Sequence, residues 1–269
     1  MDMLSKVGYY WQLEWLKMWH SVTFRVIGSL YLVLLLGIGL SVRNFEFDGK
    51  MEAGYFLMFP NVWESLGWAG QWLSFFMLGI LVLLMVTQEY GNRTLRQNII
   101  NGMTRQGIWT SKVLFMLSLA AVATLFYAFS CLVFGFIYTD HIYASRVTVG
   151  LGASLRYFVM CFGFMSLAFM LAFLIRKSGL AIFLYFGYVM FIEAILRYAV
   201  HHQMIKGRSM LFWPANIFEE LTPIPVPKML ANMVKEFGAV TSSEALITAG
   251  IYISLFLYVA WYRVTRTDM

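Results

Sequence analysis

The stretch that decides the architecture runs from Leu155 to Val200: LRYFVMCFGFMSLAFMLAFLI (Leu155–Ile175), then RKS (Arg176–Ser178), then GLAIFLYFGYVMFIEAILRYAV (Gly179–Val200). A helix rises 1.5 Å per residue, so about 20 mostly apolar residues carry it across the hydrocarbon core of a bilayer. Both runs reach that length, and three intervening residues leave room only for a tight helical hairpin. Working outward, four more runs qualify: Val22–Leu40, Leu66–Thr87, Val113–Tyr138 and Ala245–Tyr262. The period-two alternation of a membrane β-barrel is missing. The expectation is an all-α polytopic membrane protein with six transmembrane helices, forming one transmembrane domain over residues 1–269.

Composition agrees. Sixty per cent of the residues are hydrophobic and 13% charged, whereas a soluble domain carries roughly a quarter of its residues charged. Lipid must therefore solvate much of the exterior. Aromatics reach 18%, with nine Trp, which suits rings placed at headgroup depth. The formal charge of +6 does not point to nucleic acid, because the basic residues are scattered between apolar runs and act as topology determinants. Cys131 and Cys161 fall inside apolar runs with no further Cys or His at ligand spacing, and read as small core residues. No cleavable signal peptide is expected, since Lys6, Glu14 and Lys17 interrupt the first twenty residues.

Orientation follows from Lys and Arg. With the N-terminus in the cytoplasm, that side holds eleven basic residues against four acids, and the other side nine against ten. Both termini are expected in the cytoplasm, in a bacterial inner membrane. The Arg176–Lys177 hairpin and the loop 88–112 obey the rule best.

Three segments are neither spans nor plain loops. Residues 3–20 place Leu4, Trp11, Trp15 and Trp19 at mainly four-residue spacing, with Lys6 and Lys17 off that stripe and Glu14 adjoining it. This predicts an amphipathic interfacial helix lying against membrane lipids, the alternative being an extension of the first span. Residues 41–65 read as an aromatic-rich outer loop. Residues 201–244 form a larger external segment with Pro214, Pro223, Pro225 and Pro227. The closely spaced prolines forbid helix there, while Ala215–Leu221 and Lys228–Phe237 can each form a short helix before the last span.

Catalytic sets are missing from the sequence. There is no G-x-x-x-x-G-K-[ST] phosphate loop, no H-E-x-x-H and no G-x-S-x-G turn. His201 and His202 point to different helix faces and have no third ligand nearby, so a solvated pair is the simpler reading. Glu219–Glu220 resembles the paired glutamates of some membrane proteases, but Ile224 stands where a basic residue would be needed.

The loop between the second and third spans carries more: EYGNRTLRQNIINGMTRQGIWTSK (Glu89–Lys112). It reads as a short helix, a break at Gly102 and a new helix capped by Thr104. Glu89 and Arg93 are four apart, in the favourable order for a same-face pair. Leu95 and Ile99 make an apolar ridge flanked by Arg96, Gln97 and Asn98, a form suited to docking in a groove on another protein. An ordinary positive-inside loop is the bland alternative.

This loop resembles that of ATP-binding-cassette type 2 (ABC-2) permeases, in the positions Glu89, Gly91, Thr94, Leu95, Gly102, Arg105 and Lys112. The order of a surface helix, six spans, a tight hairpin and a Pro-bearing external segment is also similar. One departure is Met103-Thr104, where a proline often precedes the arginine. The resemblance implies a permease subunit of an exporter, with no ATPase motif of its own and no cofactor in this chain. It implies a separate cytoplasmic ABC ATPase subunit holding ATP and Mg, and a second permease chain, identical or homologous. By position, the ATPase-coupling residues are Glu89, Arg93, Thr94, Leu95, Arg96, Ile99 and Arg105.

Two charges lie within the fifth span. Glu193 is about 10 Å below its outer end at 1.5 Å per residue, and Arg197 is one turn further out, where the two can neutralise each other. They read either as a polar point on the substrate route or dimer contact, or as a structural pair with Arg197 snorkelling. Arg25 is explained by snorkelling, and Gln71 and Gln88 need no special role. Two other function classes stay open: a membrane-embedded enzyme acting on lipids through residues 201–244, and a non-catalytic scaffold or immunity protein.

Overall fold

A computed structural model describes residues 3–42, 54–139, 144–205, 208–223 and 240–266. These residues contain helices and no strand. Six helices are long and apolar enough to cross a membrane: Val22–Ser41, Asn61–Gly91, Arg105–Tyr138, Gly152–Ile175, Ser178–His201 and Ser242–Arg266. The chain is thus an all-α integral membrane protein, and these helices are called spans one to six.

Most helices run past the apolar runs that announce them. The second begins at Asn61, not Leu66, and the third at Arg105, not Val113. Hydropathy finds the apolar centre of a helix, whereas its ends are set by caps and breakers. The loop expected over 41–65 accordingly shrinks: Gly54–Leu57 forms one helical turn and Asn61 already opens the second span. The proposed helix Lys228–Phe237 lies outside the described residues.

The second and fourth spans are the most enclosed, and the first, fifth and sixth turn most of their surface outward. The fourth span packs against the second, third, fifth and sixth. Polar groups knit the interior. The hydroxyls of Tyr31 in the first span and Tyr157 in the fourth lie 2.5 Å apart, and Tyr127 of the third stacks on Tyr157 with ring centroids at 4.0 Å. Ser74 adds contacts to Tyr31 (3.4 Å) and Cys161 (3.2 Å). Between lipid-solvated helices close packing and such bonds, rather than exclusion of water, hold neighbours together.

The second span widens into a π-helical segment over Ser74–Gly79. Tyr185 of the fifth span leans into it and donates to the Phe75 carbonyl at 3.2 Å. A side chain at Gly79 would meet the Tyr185 hydroxyl at 2.1 Å, so glycine is required for that approach.

The N-terminal helix, Met3–His20, is separated from the first span by the single non-helical residue Ser21, so it is not an unbroken extension. It packs along the third span. Glu14 and Met18 are buried, while Tyr9, Leu13, Leu16 and Trp19 are exposed. The tryptophan stripe divides: Trp15 turns inward against Phe115 and donates to Ser118 Oγ at 2.9 Å, while Trp19 faces out. At this end of the molecule Arg105 also reaches the Thr265 carbonyl (3.0 Å), and Arg176 lies over the Tyr90 ring (5.1 Å). The N-terminal helix, the loop after the second span, the 176–178 turn and the close of the sixth span therefore share one end, called the loop end below.

Candidate functional site

At the loop end the second span finishes at Gly91, and Arg93, in the left-handed region at φ 57°, turns the chain into a short helix, Thr94–Ile100. This helix closes as a Schellman motif: Met103 N–H donates to the Asn98 carbonyl (2.9 Å), Gly102 N–H donates to the Ile99 carbonyl (3.0 Å), and Gly102 sits at φ +92°. That left-handed position explains the glycine. Thr104 then caps the third span by accepting from Gly107 N–H at 3.0 Å.

The left-handed turn separates Glu89 from Arg93, so the same-face pair expected from their spacing does not form. Glu89 points into the protein instead. It contacts Lys17 of the N-terminal helix and Lys112 of the third span, the latter at 2.7 Å. Lys112, wholly buried, also reaches Glu14 at 3.3 Å, and Ser111 donates to the same Glu14 oxygen at 3.3 Å. Two lysines and two glutamates thus form a neutral knot joining the N-terminal helix, the second span and the third. Burial alone would raise the Glu14 pKa, but Lys112 and Lys17, with the bonds from Lys112 and Ser111, hold it below the usual 4.5.

The knot fixes the root of the loop helix, and Thr94 Oγ1 donates back to the Glu89 carbonyl at 3.3 Å. Of the residues assigned to coupling, Leu95 is 2% exposed and anchors the helix from beneath. It is therefore not on the outward side of this helix, a correction to the exposed apolar ridge inferred from spacing. Thr94 and Ile99 are half-buried, Arg93, Arg96 and Gln97 are exposed, and Ile100 is 75% exposed. The outward side is thus basic at its start, with one exposed isoleucine at its end. Beside it lies a groove of about 300 Å³ lined by Tyr9, Tyr10, Leu13, Asn98, Asn101, Gly102 and Met103.

At the far end the fifth span departs from regular helix, with π-helical segments at Tyr188–Ile192 and Leu196–His201. The second of these contains Arg197 and is wider than an α-helix, which rotates Arg197 away from the four-residue register with Glu193. The two do not pair directly. Both Glu193 oxygens accept from the start of the helix Pro214–Glu220, from Ala215 N–H (2.9 Å) and Asn216 N–H (2.8 Å). This helix lies in the segment expected from the sequence to be external and is called the external helix for that reason. Arg197 donates to the Asn216 side chain and to the Tyr198 hydroxyl. A carboxylate at a helix N-terminus satisfies two free donors and opposes the positive end of the helix dipole.

The other end of that helix is held by Gln71 of the second span, 3% exposed. Its side-chain nitrogen, turned toward Thr222, lies 2.8 Å from Thr222 Oγ1 and 3.2 Å from the Glu219 carbonyl. Gln71 therefore has a structural role that its sequence position did not announce. Between these clamps Phe218 packs on Phe164 and Phe256, over Gly163, where a Cβ would meet the Phe218 ring at 2.5 Å.

His201 accepts the Trp213 indole N–H at Nδ1 (3.2 Å) and contacts Ser209 Oγ through Nε2 (2.8 Å). An indole only donates, so the neutral ring carries its proton on Nε2 and donates to Ser209. A serine activated by this histidine would need the opposite tautomer. Among the described residues no three His, Cys, Asp or Glu gather as a metal site.

The knot escaped sequence reading because its members come from three segments. The available signal was Glu14 and Lys17, three apart and so on one side of an otherwise aromatic helix. No protein-family model matches the chain, and no curated protein matches it.

Proposed function

We propose that the chain is the membrane-spanning subunit of an ATP-driven exporter of the ABC-2 kind. A separate cytoplasmic ATPase docks on the Thr94–Ile100 helix, and a second permease chain completes the route. In this reading the loop end lies in the cytoplasm of a bacterial cell, consistent with its basic residues. The observation that carries the proposal is the loop helix: short, capped at its close, rooted in a buried ionic knot, and presenting Arg93, Arg96 and, at its far end, Ile100 on its outward side. A helix so braced passes a push on its outer face to the second span, the third span and the N-terminal helix together.

Burying Ile100 in a partner groove is worth about 1.5–3 kcal/mol, roughly a ten- to hundredfold change in affinity. Co-expressed with its cognate ATPase, the wild-type chain should copurify with that ATPase. Ile100→Asp and Arg96→Glu should each lose it while keeping wild-type thermal stability. Leu95→Asp should instead lower stability, since it places a charge in the interior. Undiminished copurification of the Ile100→Asp and Arg96→Glu variants would remove the docking assignment.

A further inference from the structure

At the far end, a cavity of about 140 Å³ opens between the second span, the fifth span and the external helix. Trp72, Val189, Met190 and Ala194 supply its apolar and aromatic wall, and Glu193, Arg197, Asn216 and Glu219 its polar side. The carboxylates in this lining differ. Glu193 is consumed by the two backbone N–H groups it caps, and Arg197 is engaged with Asn216 and with the ring and hydroxyl of Tyr198. Glu219 has no hydrogen bond or ion pair through its carboxyl among the described residues. Glu193 and Arg197 cancel in charge, so an ionised Glu219 leaves the cavity one negative charge in excess, beside an indole.

The geometry points to a binding site for an alkylammonium group, with the cation on Glu219 and its methylene or methyl surface against Trp72, Val189 and Met190. An indole face attracts such a cation by about 0.5–2 kcal/mol, more when water is excluded. A simple anion fits poorly, because it would face two carboxylates for one arginine that is already bonded. The cavity has room for a headgroup-sized cation. The same chemistry is offered by a free amine and by the choline or ethanolamine headgroup of a lipid. This inference does not depend on the exporter reading.

The charged groups facing Glu219 are Arg197 on the fifth span, Glu193 on the same span and Glu220 beside it. Burial, with the two other carboxylates, raises its pKa to about 7 against the opposing pull of Arg197. Binding should therefore switch near neutrality, being strong where Glu219 is ionised and weak below.

The test is calorimetric titration of the purified full chain in nanodiscs with choline, and with 3,3-dimethylbutan-1-ol as its uncharged isostere. Saturable choline binding is expected at pH 8, about tenfold weaker at pH 6, lost in Glu219→Gln and weakened in Trp72→Leu, with no binding of the isostere. Weaker free choline binding in phosphatidylcholine discs than in discs without ammonium headgroups would identify lipid as the source, and equal binding a soluble amine. Binding that ignores pH, survives in Glu219→Gln or is matched by the isostere would overturn the proposal, as would no binding in a folded wild-type chain.

Discussion

Replacing Lys112 with Met tests the ionic knot most directly. Lys112 is wholly buried, with carboxylate oxygens at 2.7 Å (Glu89) and 3.3 Å (Glu14). The four residues are neutral as a set. Without Lys112 they carry one net negative charge, and Glu14 and Glu89, 6% and 4% exposed, share only the partly exposed Lys17. Removing one partner from a buried pair costs about 3–5 kcal/mol, because the uncompensated charge remains, whereas exchanging a whole pair for apolar groups of similar size is near neutral. Lys112→Met should therefore cost about 3–5 kcal/mol.

Restoring neutrality should recover much of that loss. In Lys112→Met with Glu14→Gln the remaining charges are Lys17 and Glu89, which already touch. The double variant should be at least about 2 kcal/mol more stable than the sum of the single effects, a coupling within the range found for residues in one network. Equilibrium unfolding in mixed micelles, followed by circular dichroism, measures all four corners of the cycle. A Lys112→Met variant within about 1 kcal/mol of wild type, or effects that simply add, would refute the idea that this knot holds the three elements together.

Other consequences can be measured separately. Because Glu14 titrates below 4.5 in the folded chain, its stabilisation is complete above that value and is lost as pH falls through the lowered one; a spin label at Leu13 should become mobile on acidification, and Glu14→Gln should abolish that response. Glu193→Gln keeps the shape but loses one acceptor and the charge; charge-assisted bonds contribute about 1.5–3 kcal/mol, so maleimide labelling of an Ile217→Cys reporter should quicken roughly ten- to a hundredfold. Gly163→Ala should unseat the external helix through Phe218, with Phe218→Leu in the same chain restoring protection of that reporter.

The spans were legible because apolar length is a property of single segments, and the two basic residues at 176–177 mark a turn without any knowledge of packing. Thr104 as a cap and Gly102 as a break were legible for the same reason, since each acts within four residues of itself. Pairings across segments were not. Glu89 looked paired with Arg93 because four-residue spacing presumes an unbroken helix, and a left-handed residue at Arg93 removes that premise. Glu193 and Arg197 failed likewise, through a π-helical turn, LRYAVH, that four-residue spacing does not anticipate. Gln71 shows the reverse error: a lone amide in a span looks idle until the helix it clamps, which starts 143 residues later at Pro214, folds back against it.

The second span links these observations mechanically. It carries a partner for both short helices: Glu89, whose carbonyl accepts from Thr94 at the root of the loop helix, and Gln71, at the end of the external helix. These residues are 18 positions apart, about 27 Å along a helix, with the π-helical Ser74–Gly79 between them. A rigid rod pressed at one end moves at the other, and a widened turn is where such a rod yields. Tyr185 props that turn from the fifth span, which also holds Glu193. A push arriving at the loop helix would thus reach the cavity at the far end through two adjacent helices. Physical coupling requires an element with two arrangements that both sites bias; the π-helical turn, between the partners of the two short helices and touched by the fifth span, is the place in the second span to look for them.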